Sequence, residues 1–397
     1  LFGACVFLVG AAISFRILQL SFFTDRAYAR QAEANLAQNR ELPPPRGLIY
    51  DRFGKRLAAN KESFMVFLNA GEFLRRKDLR EKTVGAITGV IGMPENELSA
   101  RLSETNIERT GERVLLSSGI TSKQVIALRD LDLPTLAVEE GFARAYEDGL
   151  VFSSVVGYTG LVGPADIKSD STLGAQAIVG RSGLEYVYDA LLRGRPGSVS
   201  QVRNAKGMPL GEPEIRPPEI GASITLTIDA DFSRYFAKRF REGLAALGKT
   251  TGVGIAINPQ TGEVLALLNF PGFDNSIFSE QGRSDERKAL LSSSLKPLFN
   301  RAVSGMYNPG STIKPLVAVA ALAENVIAPE RQIFSPGYLD VPNPYDPEKP
   351  TRYLDWRNQG WINTETAIAK SSNVYFYTVG GGHGDIAGLG ISRLHAW

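Results

Sequence analysis

Residues 307–324 read Tyr307-Asn308-Pro309-Gly310-Ser311-Thr312-Ile313-Lys314, then the alanine-rich run Pro315-Leu316-Val317-Ala318-Val319-Ala320-Ala321-Leu322-Ala323-Glu324. A Pro-Gly turn followed by this run predicts a helix over 312–324, with Pro315 in the first turn, where proline is tolerated. Serine and lysine three apart on a helix share one face, one turn from each other. The Lys314 amine can then reach the Ser311 hydroxyl and act as its base, a pairing that needs neither histidine nor aspartate. The helix N-terminus also favours negative charge developing at the serine. A free lysine titrates near about 10.4, so a lysine base must be pushed toward neutrality by burial or by another cation. Taken alone, the pattern fits equally well a serine N-cap followed by a solvated lysine.

A second Ser-x-x-Lys occurs at Ser293 and Lys296, but it sits in a serine-rich stretch, and Pro297 follows the lysine with no long apolar helix starting there. Downstream of the first pair, Ser371-Ser372-Asn373 follows a predicted short helix over 364–370 and precedes the apolar run Val374-Tyr375-Phe376-Tyr377. Enzymes that react with β-lactams pair S-x-x-K with S-D-N and K-T-G. Ser371 and Asn373 fit that second element, with Ser372 in place of the aspartate. Two other motifs are decoys. Gly243 through Gly248-Lys249-Thr250 matches the phosphate-loop pattern, yet it ends an amphipathic helix and precedes a strand, the reverse of the order that phosphate binding needs. Gly380-Gly381-Gly382-His383-Gly384 follows no clear strand and reads as a flexible loop.

Working outward, residues 223–228 alternate polar and apolar, as a half-buried strand does. Residues 231–247 place Phe232, Tyr235, Phe236, Phe240, Leu244 and Leu247 at helical spacing, with Gly248 as C-terminal cap. Strands over 253–257 and 263–268 join through the turn Asn258-Pro259-Gln260-Thr261-Gly262. A helix beside a hairpin implies an α+β domain. Upstream, residues 46–211 form a mixed region with short helices over 79–92 and 94–102, and the Pro- and charge-rich stretch 211–219 reads as a linker. Residues 25–41 read as a polar helix stopped by Pro43-Pro44-Pro45.

Composition is that of a folded chain: 397 residues, 43% hydrophobic and 22% charged. Lys plus Arg number 44 and Asp plus Glu 42, which gives no electrostatic reason to expect nucleic acid as partner. One cysteine, Cys5, excludes an intramolecular disulfide and any multi-cysteine metal site, and two histidines leave little for a histidine cluster. Residues 1–15 carry no charge, and the apolar character continues past Arg16 to Phe23, close to the roughly 20 residues of a spanning helix. Because the chain begins with Leu1 and shows no basic n-region, this run is expected to be a membrane signal anchor whose start is missing. A buried helix and a cleaved signal peptide are the competing readings.

Taken together, the motifs resemble the class B penicillin-binding proteins, membrane-anchored peptidoglycan DD-transpeptidases. The resemblance runs nearly the whole length. It rests on Arg46-Gly47 to Asp51-Arg52-Phe53-Gly54, Leu57-Ala58-Ala59-Asn60, Gly180-Arg181-Ser182-Gly183-Leu184-Glu185 and Asn258 to Ala266. It continues through Phe299-Asn300-Arg301-Ala302, Tyr307 to Lys314, and Ser371-Ser372-Asn373. Tyr307-x-Pro309-Gly310-Ser311-Thr312-x-Lys314, with Asp355-Trp356-Arg357 downstream, is more similar to the elongation type than to the division type. The implied architecture is α+β: a transmembrane anchor over 1–23, a mixed pedestal or dimerisation domain over 24–215, and a partial serine β-lactamase-like transpeptidase domain over 221–397. The family's Lys-Thr/Ser-Gly motif is absent, since Lys249-Thr250-Thr251-Gly252 lies upstream of the nucleophile. The chain is expected to stop before that strand and, alone, to be a poor acyltransferase.

The resemblance implies that Ser311 attacks the penultimate D-alanine carbonyl of a stem peptide, with Lys314 as base, Ser371 as proton relay and Asn373 as a substrate-amide contact. The Ser311 amide would supply half of an oxyanion hole, and no cofactor or metal is needed. Arg46, Gly47 and Asp51 would be structural. The implied partners are peptidoglycan stem peptides, β-lactams, the membrane, a SEDS-type glycosyltransferase and the elongation machinery, at the bacterial inner membrane with the catalytic domain outside the cytoplasm. Two alternatives stay open: a membrane-anchored β-lactam sensor or β-lactamase, and a scaffold that regulates a glycosyltransferase.

Overall fold

The computed structural model describes residues 2–3, 7, 10–11, 13–15, 37–104, 113–174, 176–202, 210–280, 282–346 and 348–397. The expected anchor at 1–23 and residues 24–36 lie largely outside these. Among the described residues no helix is long and apolar enough to cross a membrane. The chain forms two compact units, Leu1–Gly305 and Met306–Trp397.

The first unit holds β1 (Ala37–Leu42), β2 (Ile49–Tyr50), β3 (Arg56–Asn69), β4 (Arg113–Ile120) and β5 (Leu136–Tyr146). It continues with β6 (Thr159–Leu161), β7 (Ile178–Gly180), β8 (Gly197–Val202), β9 (Glu214–Arg216) and β10 (Ile224–Thr225), and ends in the pair β11 (Gly252–Ile257) and β12 (Val264–Phe270). The centre is β3. It pairs antiparallel with β2, β4 and β5, the last in unbroken register from Ala58 opposite Tyr146 to Leu68 opposite Leu136. Alternate side chains of a strand point to opposite faces. Val66 and Leu68 accordingly pack with Ile87, Ile91 and Met93, whereas Met65 and Phe67 pack with Leu115. Because both faces are covered, the sequence there is continuously apolar and carries no alternating signal.

Two expectations are corrected in this unit. Residues 37–41, read as the end of a helix, form β1, which pairs along its whole length with β8. Tertiary pairing overrides helix propensity here, as it often does. The supposed linker contains β9, paired with β8 and exposed throughout, and Pro217-Pro218 then ends it as proline ends an edge strand. The helix and hairpin form as expected. The helix α2 (Ala230–Ala246) is preceded by α1 (Gly183–Val187), and its Phe236, Phe240 and Leu244 pack on Leu268 and Phe270. Asp229 caps it by accepting from the Phe232 amide at 3.0 Å, and Gly248 follows it at φ +64°.

A buried ion network gathers the motifs of this unit. The Glu185 carboxylate in α1 is fully buried between two arginines. Arg46 Nε donates to Oε2 at 2.6 Å and Arg144 Nε donates to Oε1 at 2.7 Å. Arg46 Nη2 also lies 2.8 Å from Asp189, and Asn60 links the two arginines by donating to the Arg46 carbonyl and accepting from Arg144. Gly47 cannot be larger, because a Cβ there would sit 2.0 Å from the Ala222 carbonyl oxygen. Asp51, also fully buried, accepts from the Phe53 and Lys55 amides and, at 3.1 Å, from the Ala230 amide that opens α2.

The second unit contains α3 (Lys314–Ala323), α4 (Thr364–Ala369) and α5 (Asn373–Gly381), with the antiparallel pairs β13 (Ile333–Ser335) with β16 (Gly360–Ile362) and β14 (Tyr338–Val341) with β15 (Thr351–Leu354). Ala318, Ala320, Ala321 and Ala367 are small enough to bring the helices close around the buried Tyr375, Phe376 and Val379. Removing one partner of a buried ion pair strands the others, at a cost of about 3–5 kcal/mol. Glu185→Ala is therefore expected to lower unfolding stability by about that amount, read from the urea midpoint. A loss below about 1 kcal/mol would show that the arginines find other partners.

Candidate active site

Ser311 lies in a single 3-10 turn, Gly310–Ile313, that runs directly into α3. Its side chain is exposed, and its hydroxyl makes no hydrogen bond to any described residue. Lys314 begins α3, with Pro315 in the first turn, where no intrahelical bond is lost. The lysine is not the solvated side chain that the bland reading expects. It is 8% exposed, and its ammonium donates to the Ser371 carbonyl at 2.8 Å, the Ser371 hydroxyl at 3.2 Å and Asn373 Oδ1 at 2.7 Å. The Phe376 ring lies 5.6 Å away. Burial holds the Lys314 ammonium below the usual lysine range, and the Asp355 carboxylate partly offsets that.

Three of the four residues singled out in the sequence thus meet at one ammonium, and the fourth stands just before it in the chain. Lys314 turns toward Ser371 and Asn373, without a bond to Ser311. In ligand-free sites such bonds are often long and tighten only when substrate binds. The other Ser-x-x-Lys pair has no such arrangement: Ser293 terminates a helix, Ser284–Ser292, and Lys296 has left-handed backbone at φ +45°. Gly243 to Ala246 end α2, which leaves no strand–loop–helix for a phosphate. Among the described residues no group of three or more His, Cys, Asp or Glu could hold a metal.

The corner that carries Ser371 is a tight helix-to-helix join. The Ser371 amide donates to the Ile368 carbonyl and the Ser372 amide to the Ala367 carbonyl, closing α4 in a Schellman motif. That motif needs a left-handed residue, usually glycine, and Ser371 takes the place at φ +51°. Ser372 then caps α5 by accepting from the Tyr375 amide at 3.3 Å. Asn373 is fixed on both sides, since its Nδ2 donates to the Leu354 carbonyl at 3.3 Å while its Oδ1 accepts from Lys314.

The profile of the penicillin-binding protein dimerisation domain matches residues 41–226, and that of the penicillin-binding protein transpeptidase domain matches residues 252–386. The chain belongs to the class B penicillin-binding proteins. It is 31% identical to peptidoglycan D,D-transpeptidase MrdA of Haemophilus influenzae, over 99% of this chain and 58% of that protein. It therefore spans less than two-thirds of that relative. A solved complex between penicillin-binding protein PBP2 and MreC from Helicobacter pylori matches with a TM-score of 0.69 at 26% identity, over 86% of this chain and 62% of that one. A structure of a peptidoglycan synthase complex matches with a TM-score of 0.59 at 27% identity, over 95% of this chain and 62% of that one. Ser311, Lys314, Ser371 and Asn373 all fall within the transpeptidase match of this penicillin-binding protein, and the arginine–glutamate network falls within the dimerisation match.

In the sequence Asp355 stands only as a mark of subtype, whereas in the structure its carboxylate is bonded to Ser372 and to the start of α5. Nothing local signals this, because the partners lie 17 and 19 residues downstream. A left-handed conformation costs an L-residue roughly 1–2 kcal/mol and costs glycine almost nothing. Ser371→Gly keeps both backbone bonds of the corner, so thermal unfolding should be unchanged or stabilised by up to about 1 kcal/mol, the rest being offset by the freer unfolded glycine. A clearly lowered melting temperature would show that the hydroxyl itself holds the corner.

Proposed function

We propose that this chain carries the acyl-transfer site of an elongation-type peptidoglycan D,D-transpeptidase, with Ser311 as nucleophile. The observation that supports it most is the buried Lys314 ammonium, held by Ser371 and Asn373 one turn from an exposed serine. In this reading Ser311 Oγ attacks the carbonyl of the penultimate D-alanine of a donor stem peptide. Its proton passes to Lys314 and, through the Ser371 hydroxyl, to the leaving amine, so the amide bond breaks and terminal D-alanine departs. An amine of a neighbouring stem then attacks the acyl-enzyme, forming the cross-link and restoring the Ser311 hydroxyl. Asn373 holds the substrate amide, and the Ser311 amide contributes to the oxyanion site. Desolvation favours the neutral amine that the first step requires.

A β-lactam carbonyl imitates the D-alanyl amide. Expressed from the whole reading frame that encodes this chain, the protein should gain one β-lactam mass on Ser311, and Ser311→Ala should lose it. An adduct that persists in the alanine variant, or that maps to Ser293, sinks the assignment. Lys314→Met should fold and fail to acylate. Because burial lowers the Lys314 pKa, the acylation rate should rise with pH and level off below the value near 10.4 where a free lysine titrates. A limb at or above that value would mean that the base is not a buried lysine.

In the same reading residues 1–23 anchor the protein in the bacterial inner membrane and the remainder lies outside the cytoplasm, supported by the uncharged run 1–15. The solved relatives, one a complex with MreC and one a peptidoglycan synthase complex, support a partner from the elongation machinery, which in this reading is a SEDS-type glycosyltransferase. Detergent co-purification should recover that glycosyltransferase with the whole protein and lose it when residues 1–215 are deleted. Equal recovery would refute a contact made through this region.

A further inference from the structure

The acyl-transfer scheme assigns roles to Ser371 and Asn373 and none to the residue between them, or to the carboxylate that holds it. Asp355 directly follows β15, and it gathers donors from three segments. Its Oδ2 accepts from the Ser372 hydroxyl at 2.7 Å, the Val374 amide at 3.1 Å, Gln359 Nε2 at 3.2 Å and the Ser335 hydroxyl at 3.3 Å, while Oδ1 accepts from the Trp356 amide at 2.9 Å. The Asp355 amide is itself anchored by donating to the Gly337 carbonyl at 2.8 Å. An ionised carboxylate offers about four acceptor sites, more than any neutral side chain of that size. Burial opposes the charge, but hydrogen bonds from Ser372 and from the amides of Asn373, Val374 and Trp356 outweigh it and hold the carboxyl below its usual range.

Ser372 is fully buried and is the N-cap of α5. With its one proton given to Asp355 and its oxygen accepting from Tyr375, its rotamer is fixed. Its neighbour Ser371 is in left-handed backbone, a conformation that persists in an L-residue only when the surroundings over-determine it. The residue just before Asp355 supplies the carbonyl that fixes Asn373. One short segment, Leu354 and Asp355, therefore holds the middle and the far member of the triplet whose outer members hold Lys314.

We propose that Asp355 is a positioning residue for acyl transfer: through the Ser372 hydroxyl and the Val374 amide it sets Ser371 and Asn373 in register with Lys314. This rests on the reading of Ser311 as nucleophile. The carboxylate touches neither substrate nor reacting atoms, and the Leu354 carbonyl still holds the Asn373 side chain when it is removed, so its loss acts on the covalent step through Ser371 and leaves the preceding association largely intact.

The test uses protein made from the whole reading frame, with a fluorescent penicillin as probe. The first-order acylation constant and the half-saturating probe concentration are measured separately. Asp355→Ala should slow acylation at least tenfold while half-saturation moves less than threefold. Asp355→Asn keeps one oxygen for Ser372 and Val374 and should recover most of the rate. Ser372→Ala should slow acylation by a smaller factor, and adding it to Asp355→Ala should cost nothing more, as residues acting through one contact do. A wild-type rate in Asp355→Ala, additive losses in the double variant, or no rescue by asparagine would overturn the proposal. If the alanine variant does not fold, Ser372→Ala and Asp355→Asn carry the same comparison. Backbone hydrogen exchange over residues 370–377 is measured on the same proteins and should be faster in Asp355→Ala and near wild type in Asp355→Asn. Unchanged exchange overturns the positioning role whatever is found at Ser311. Faster exchange in wild-type-like protein that fails to label Ser311 would instead defeat the catalytic reading.

Discussion

A lysine ammonium withdrawn from water dictates the construction of the second unit. An isolated buried cation is prohibitively unfavourable, so it must be given acceptors or lose its proton. Lys314 receives three, from a carbonyl, a hydroxyl and an amide oxygen, and all three belong to the corner between α4 and α5. That requirement fixes where α4 must end, why α5 must start four residues later, and why the helices pack through alanines that let their axes approach. The neutral acceptors solvate the ammonium without adding charge, so burial still pulls its proton affinity down. A carboxylate in their place would have raised that affinity instead.

The first unit meets the opposite problem with the opposite charge. Glu185 is wholly buried, and two arginines from distant parts of the chain neutralise it. A buried ion cluster of this kind is weak evidence for stability, because well-packed apolar groups often do as well. Its effect is to make three separate motifs, around Arg46, Asn60 and Glu185, mutually dependent. None of them carries a reacting group, which agrees with the expectation that Arg46, Gly47 and Asp51 are structural.

What could be read from sequence was what is local. Ser311 and Lys314 are three residues apart, and Ser371 and Asn373 stand at a helix start, so spacing together with the flanking sequence marks both pairs. The α2 helix and the β11–β12 hairpin are likewise encoded by short-range periodicity and a turn. Long-range pairing was hidden. The central strand β3 is apolar on both faces over 64–68 and gives no alternation there, β1 carries good helix formers and is extended only because β8 lies beside it, and the prolines after β9 mimic a linker. Asp355 was visible as a letter but not as a ligand for Ser372. The left-handed backbone of Ser371 was invisible because glycine, its usual signal, is absent there.

The pairing of β1 with β8 has a consequence for how the chain comes to exist. Ala37 faces Val202, and Ile49 in β2 pairs with Ile224 in β10. The first strand of the described fold therefore emerges long before its partner, and β2, which meets β3 at once, long before its other neighbour. At synthesis rates of about 5–20 residues per second, the first strand waits roughly 10–30 s for its neighbour. During that interval its backbone donors and acceptors are open to any other extended segment, the circumstance in which sheets mispair. The run that follows it, Pro43-Pro44-Pro45, has no amide hydrogens to offer a ladder. The nascent N-terminal segment is thus guarded on one side by chemistry that refuses pairing until the proper strand arrives.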